Sequence, residues 1–214
     1  MSKFKAIIFD LDGVLVSTDQ YHYKAWNKMA GDLNINFDQE LNNHLRGISR
    51  MDSLNIILNA ANLKLSESEK VLLAEEKNNY YVEYLQLLNE SDIDPIVIEV
   101  LNQLKEKQIK LAIGSSSKNA KLILERVKLI SYFDAISDGN NIENSKPNPE
   151  VFLKAAEYIM EDPKNCLIVE DAVSGIEAGH KAGMKTVAIG HATTSPKADY
   201  RITSFDTILE IIEE

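Results

Sequence analysis

Apolar residues along this chain fall into two patterns of different period. Short runs at residues 5–10 (KAIIFD), 110–114 (KLAIG), 133–137 (FDAIS), 166–170 (CLIVE) and 186–190 (TVAIG) are apolar at nearly every central position. An unbroken run of this length, ending in a polar or glycine-containing segment, reads as a strand covered on both faces, as in a parallel sheet. Between most of these runs the apolar residues recur at helical spacing. Asp94-Pro95 opens one helix, with an acid at the N-cap and proline at the first helical position, and IVIEVLNQLKEK follows. Asn148-Pro149 opens another through EVFLKAAEYI, and Ser174 is expected to cap GIEAGHKA, with Gly183 as its stop. Strands alternating with helices predict an α/β protein with a doubly wound, mostly parallel sheet and a Rossmann-like core.

Residues from about 19 to 88 interrupt that alternation. They hold no good strand pattern. Ser49 and Asp52 begin the helical segment RMDSLNIILNAAN, and Ser66 with Glu69 forms a capping-box signature before a long helix reaching about residue 88. The expected organisation is a core of residues 1–16 and 91–214 with an all-helical cap domain, residues 17–90, inserted into it. The crossings near 16–18 and 89–92 are the expected hinges. A length of 214 residues accommodates both units, since a domain commonly holds roughly 100–150 residues.

Charge narrows the partners. A net charge of -10 repels phosphate backbones and argues against nucleic acid, yet a few converging cations can still hold a small phosphorylated molecule. No apolar run approaches the roughly 20 residues of a membrane span, and the apolar stretch in MSKFKAIIFD is too short for a signal peptide. The single cysteine, Cys166, cannot form an internal disulfide; it is expected to be buried and inert, in a reducing cytoplasmic setting. The expected state is a monomer without a nucleic-acid or membrane partner.

In an open α/β sheet, ligands bind beyond the carboxyl ends of the strands, and four chemically loaded segments stand at such ends. The first is Asp10-Leu11-Asp12-Gly13, two carboxylates at a tight turn: Asp10 is a candidate nucleophile towards phosphorus and Asp12 a candidate acid/base. The second, Ser115-Ser116-Ser117-Lys118-Asn119, offers a hydroxyl and backbone N–H groups before a helix, a natural phosphate seat. Lys146 lies in a proline-stiffened loop, SKPNP, where its cation can hold a phosphoryl group. The fourth is Glu170-Asp171, whose acids close a buried run and, with Asp10 nearby, supply oxygen ligands suited to Mg2+. A non-catalytic binding protein on the same fold is the rival reading; the presence of Asp10, Asp12, Lys146 and Asp171 together argues against it.

The ordered set FDLDG, SSSKN, SKPNP and VEDAVSGIEAG resembles the four signature motifs of the haloacid dehalogenase-like phosphotransferases. That resemblance implies a phosphorylated Asp10, Asp12 as acid/base, and Ser115 and Lys146 as phosphate ligands. It also implies Mg2+ bound by Asp10, the Asp12 carbonyl and Asp171, with Glu170 at or near the metal. Three segments of the insertion, 18–26 (TDQYHYKAW), 45–53 (LRGISRMDS) and 76–81 (EKNNYY), resemble the β-phosphoglucomutase subfamily. The resemblance adds Thr18, His22, Trp26, Gly47, Arg50, Ser53 and Lys77 as sugar-phosphate candidates. Arg50, beside flexible Gly47, suits a seat for a second phosphate, because a guanidinium grips two oxygens at once. His22 is expected to orient Asp12 or the sugar, and Trp26 to pack in the core or flank the sugar. The implied reaction interconverts β-glucose 1-phosphate and glucose 6-phosphate through a bisphosphate; the alternative is a phosphatase of the same superfamily acting on a small phosphate ester. One departure is Ile96 after Pro95, where the family commonly has glycine at the return hinge.

Overall fold

The structure, a computed structural model, describes residues 3–45 and 48–213. The chain divides into two compact units, one of residues before Thr18 and after Leu88, the other of Thr18–Leu88.

The larger unit is built on a six-stranded sheet: β1 Ala6–Phe9, β2 Lys110–Gly114, β3 Ala135–Ser137, β4 Cys166–Glu170, β5 Lys185–Ala188 and β6 Tyr200–Arg201. Every pairing is parallel and the order is β3-β2-β1-β4-β5-β6. The chain adds strands outward from β1 on one side, then returns to lay β4 against β1 on the other. The connections diverge at that pair, which opens a crevice beyond the strand ends. Register fixes what reaches it: Phe9 pairs with Ile113 and with Val169, so Asp10, Ser115 and Glu170 emerge at the same end of three adjacent strands. The sequence pattern began β3 two residues too early, and it began β5 one residue late and ended it two residues late. It missed β6, whose two residues at the sheet edge make no apolar run.

The smaller unit holds helices α1 Asp19–Asp32, α2 Gln39–Asn43, α3 Arg50–Ala60 and α4 Glu67–Leu85, with no strand among its described residues. Ser49 caps α3 by accepting the Asp52 N–H, and Ser66 with Glu69 forms the expected capping box on α4. That helix ends at Leu85, a little before the expected residue 88. Its interior packs Trp26, Met29 and Ala30 of α1 against Leu54, Ile57 and Leu58 of α3 and Ala74 of α4. Each such large apolar side chain contributes about 1.5–3 kcal/mol on full burial.

Among the described residues of the larger unit the further α-helices are α5 Pro95–Glu106, α6 Ala120–Arg126, α7 Glu150–Tyr158, α8 Val173–Lys181 and α9 Thr207–Ile211. Side chains alternate between the faces of a strand. Ala6 and Ile8 of β1, with Ala112 and Ile168, pack beneath Val151, Phe152 and Ala155 of α7 and Ala178 of α8. Phe9 points to the other face and stacks on Phe205, centroids 5.9 Å apart. Asp94 caps α5, with Pro95 in its first turn, as the sequence indicates. The expectation for Ser174 is corrected: α8 begins at Val173 and its N-cap is Ala172. Glu170 Oε1 accepts the Ala172 N–H at 3.0 Å, turning the chain immediately after β4 and placing Ser174 inside the first helical turn. Gly183, at φ 74°, stops the helix as expected. Among the described residues no helix is long and apolar enough to cross a membrane.

Candidate active site

Lys146 is the centre of the site in the larger unit. Its ammonium donates to Asp10 Oδ1 at 2.5 Å and to Glu170 Oε2 at 2.7 Å, and it lies 4.7 Å from the centre of the Phe152 ring. All three charged groups are buried: Asp10 and Lys146 keep 7% exposure each and Glu170 1%. A buried cation is tolerated only when paired, and here two carboxylates hold it. Burial drives the Asp10 carboxyl well above the usual carboxylate range; Lys146 opposes this, while Glu170 and Asp171 reinforce it. Burial works against the Lys146 charge, but Asp10 and Glu170 outweigh it and raise the lysine above its ordinary value.

Carboxylate oxygens of Asp10, Glu170 and Asp171 lie within 4.8 Å of one another. Two glycines permit that crowding. At Gly13, where φ is +79°, a Cβ would stand 2.1 Å from Asp171 Oδ2; at Gly175 it would stand 2.0 Å from Glu170 Oε2. The donor set is hard oxygen, and Glu170 and Asp171 both raise the proton affinity of Asp10, so the cluster fits a divalent cation such as Mg2+. The Glu170 oxygens already accept from Lys146 and from the Ala172 N–H, which leaves Asp10 and Asp171 as the side chains better suited to the ion. Asp12 is partly buried and lies outside the three-acid cluster.

The loop after β2 is folded on itself at the same strand ends. Ser115 is buried; its N–H donates to the Ser137 carbonyl and its Oγ accepts the Ser117 N–H at 3.2 Å. Ser117 Oγ accepts the Asn119 N–H, and Asn119 precedes α6 without a side-chain cap bond. The Ser116 hydroxyl is buried with no hydrogen-bond partner among the described residues. Lys118 is exposed, and its carbonyl accepts from Asn140.

The smaller unit gathers a second constellation. Lys77, only 2% exposed, donates from Nζ to His22 Nδ1 at 2.9 Å and lies 4.6 Å from the Trp26 ring and 4.7 Å from the Tyr81 ring. His22 stacks on Tyr81 with centroids 4.0 Å apart, and the Tyr81 hydroxyl bonds Thr18 Oγ1 at 2.8 Å. Burial holds the His22 pKa well below its ordinary value, and Lys77 and Arg50 add to the effect, so the imidazole is neutral and accepts from the lysine. Arg50 donates to Asn78 Oδ1 at 2.8 Å, and partial burial lowers its pKa. Ser53 is buried in α3. Trp26 packs in the core of the smaller unit, the first of its two expected places, and its ring also faces the Lys77 cation. Gly47 lies outside the described residues.

Three contributors were not singled out from sequence: Asn78, Tyr81 and Phe152. Helical spacing offered a signal for one of them, since Tyr81 stands four residues after Lys77 on α4 and shares its face. Cys166 is buried, and burial pushes its thiol up to about 12, consistent with an inert core residue.

The sequence profile of the haloacid dehalogenase-like hydrolases matches residues 7–189. The β-phosphoglucomutase of Bacillus subtilis is 41% identical over 98% of this chain and 94% of its own. A phosphorylated carbohydrates phosphatase of Thermotoga maritima is 32% identical over 91% of this chain and 89% of its own. The crystal structure of a β-phosphoglucomutase from Clostridium difficile superposes with a TM-score of 0.91 at 40% identity, covering 98% of this chain and 97% of that one. With this fold and these strand-end residues, the chain belongs to the haloacid dehalogenase-like hydrolase family.

Proposed function

We propose that this protein is a β-phosphoglucomutase, interconverting β-D-glucose 1-phosphate and glucose 6-phosphate. The observation that carries this reading is the Arg50–Asn78 and Lys77–His22 constellation of the smaller unit, a set of cations held by hydrogen bonds and aromatic faces. A phosphatase needs one anion seat. A mutase that passes through a bisphosphate needs two, and each unit of this chain supplies one. The identity of 41% to the Bacillus subtilis enzyme and the fold match at TM-score 0.91 support the same reading.

In the proposed mechanism a phosphorylated Asp10 gives its phosphoryl group to the free hydroxyl of the bound sugar monophosphate; the bisphosphate turns over, and Asp10 attacks the phosphorus of its other phosphate, releasing the sugar hydroxyl and restoring the aspartyl phosphate. Asp12 takes the proton of the attacking hydroxyl and gives one to the leaving oxygen. Glu170 holds Lys146 against Asp10, and the lysine and Ser115 hold the transferring oxygens. Arg50 and Lys77, with Ser53 and Thr18 nearby in the same unit, hold the non-reacting phosphate and the sugar. Asp10, the Asp12 carbonyl and Asp171 would hold Mg2+, which when bound would supply positive charge to offset the crowded acids and the phosphoryl group. Turnover in this scheme takes place in the cytoplasm on a small phosphorylated sugar, with the chain acting as a monomer.

The phosphatase among its relatives makes hydrolysis of a sugar phosphate the second reading. A coupled assay separates the two: β-glucose 1-phosphate with Mg2+ and a trace of bisphosphate primer, following glucose 6-phosphate and free phosphate together. Glucose 6-phosphate without phosphate release is expected. Phosphate release without isomerisation overturns the mutase, and an Asp10→Asn variant with near-normal turnover overturns the nucleophile.

A further inference from the structure

Lys146 is carried by a stretch, residues 141–149, that belongs to no helix or strand, yet its ammonium is held to 2.5 and 2.7 Å from two carboxylates. Something outside the lysine must hold that backbone. The fastening comes from the residue that begins α7. Glu150 Oε1 accepts the Glu143 N–H at 3.0 Å, and Oε2 accepts the Asn144 N–H at 2.9 Å and Asn144 Nδ2 at 3.3 Å. Lys154, one turn along α7, pairs with the same carboxylate at 3.0 Å and donates to the Asn141 carbonyl. At the other foot of the loop, Asn148 Oδ1 accepts the Glu150 N–H and the Asn148 N–H donates to the Ser145 carbonyl, both at 3.0 Å. Phe152, against which the Lys146 ammonium rests, stands two residues further along α7.

We propose that Glu150 is a positioning residue for phosphoryl transfer: its carboxylate clamps the 143–144 backbone to the start of α7 and so fixes where Lys146 presents its charge. The proposal rests on the role given to Lys146 above. A carboxylate accepting two successive backbone N–H groups takes the place of the partners that a helix or strand would supply. Those bonds, with Lys154, pull the Glu150 carboxyl down to about 2, so the clamp stays charged throughout the working pH range. An acid in the first turn of a helix also favours the helix itself, and that purely structural role is the one to be distinguished.

The experiment uses the full-length chain with Mg2+ and 4-nitrophenyl phosphate, a small ester whose turnover reports the larger unit's chemistry whether the protein is a mutase or a phosphatase. Glu150→Ala, Glu150→Gln and Lys146→Ala are compared with the parent, at a temperature where circular dichroism shows each fully folded. Glu150→Ala is expected to lower kcat by about 10–100-fold and to weaken orthovanadate inhibition in parallel, with KM changed much less. Glu150→Gln, which keeps one acceptor oxygen, is expected to fall between, and it carries the test alone if the alanine variant does not fold. A lower melting temperature with kcat and vanadate inhibition unchanged overturns the proposal. Undiminished turnover by Lys146→Ala overturns the role of the lysine itself, and the proposal with it.

Discussion

Replacing Gly175 by alanine separates a geometric requirement from a helical preference. Gly175 sits in the first turn of α8, where alanine alone would favour the helix by about 1 kcal/mol. The added Cβ, however, would stand 2.0 Å from both Cδ and Oε2 of Glu170, and ordinary contact begins near 3.4 Å. The carboxylate must retreat by about 1.4 Å, in a place where Glu170 is only 1% exposed. Overpacking of this kind costs about 1–3 kcal/mol. Retreat also breaks the 2.7 Å bond to Lys146, a charge-assisted contact of about 1.5–3 kcal/mol. Strain and lost bond together exceed the helical gain. The melting temperature should fall by about 2–4 °C for each kcal/mol lost. Displacing Lys146 by an ångström should lower kcat by about 100-fold. Gly31→Ala provides the contrast: its Cβ would meet nothing within 4 Å inside α1, so it should raise stability by about 0.4–1 kcal/mol and leave turnover unchanged. Thermal melts and turnover of 4-nitrophenyl phosphate by both variants decide the matter. If Gly175→Ala is as stable as Gly31→Ala and as active as the parent, Glu170 does not hold Lys146 in the way described.

His22, whose folded pKa lies well below its ordinary 6.5, binds a proton more readily in the unfolded chain. Its contribution to stability is therefore full above pH 6.5 and declines below it, by about 1.4 kcal/mol per pH unit until the folded pKa is reached. Urea titrations from pH 7 to 5 should show that slope diminished in His22→Asn; equal slopes in both proteins would contradict a neutral, buried imidazole. Arg50→Ala should reduce mutase turnover by about 100-fold and hydrolysis of 4-nitrophenyl phosphate by no more than about threefold, because the small ester has no second phosphate. Equal losses in the two assays would remove the second seat. Chelation should abolish turnover, and Mg2+ added to the chelated protein should raise its melting temperature by relieving the Asp10–Glu170–Asp171 crowding; an unchanged melting temperature would argue against a site at these acids.

Strands β1, β2 and β4 were legible because each is covered on both faces and is written in unbroken apolar residues. β6 was not, since two edge residues, one half-buried and one exposed, carry no periodic signal. The placement of the strand-end residues was legible for the same reason as the strands: once a run stops at an acid or a serine, parallel topology dictates where that residue stands. Lys77 shows the limit. It lies in a charge-rich helix whose lysines look solvated, and it is buried only because His22, Trp26 and Tyr81 converge on it from two helices. Glu150 was hidden differently. Its bonds run to backbone N–H groups, which no side-chain pattern records.

An ammonium has three N–H bonds. Lys146 gives one to Asp10 and one to Glu170, and so has a single hydrogen left for an incoming phosphate. A phosphoryl group has three non-bridging oxygens, so the lysine can serve at most one of them by direct donation. The rest must be met by donors on other elements, and among the described residues the larger unit has buried hydroxyls without a partner at Ser116, in the folded loop after β2, and at Ser137, at the end of β3. In the proposed mechanism Lys146 is therefore a locator more than a grip: it would set where the phosphorus stands and leave most of the holding to donors on other elements.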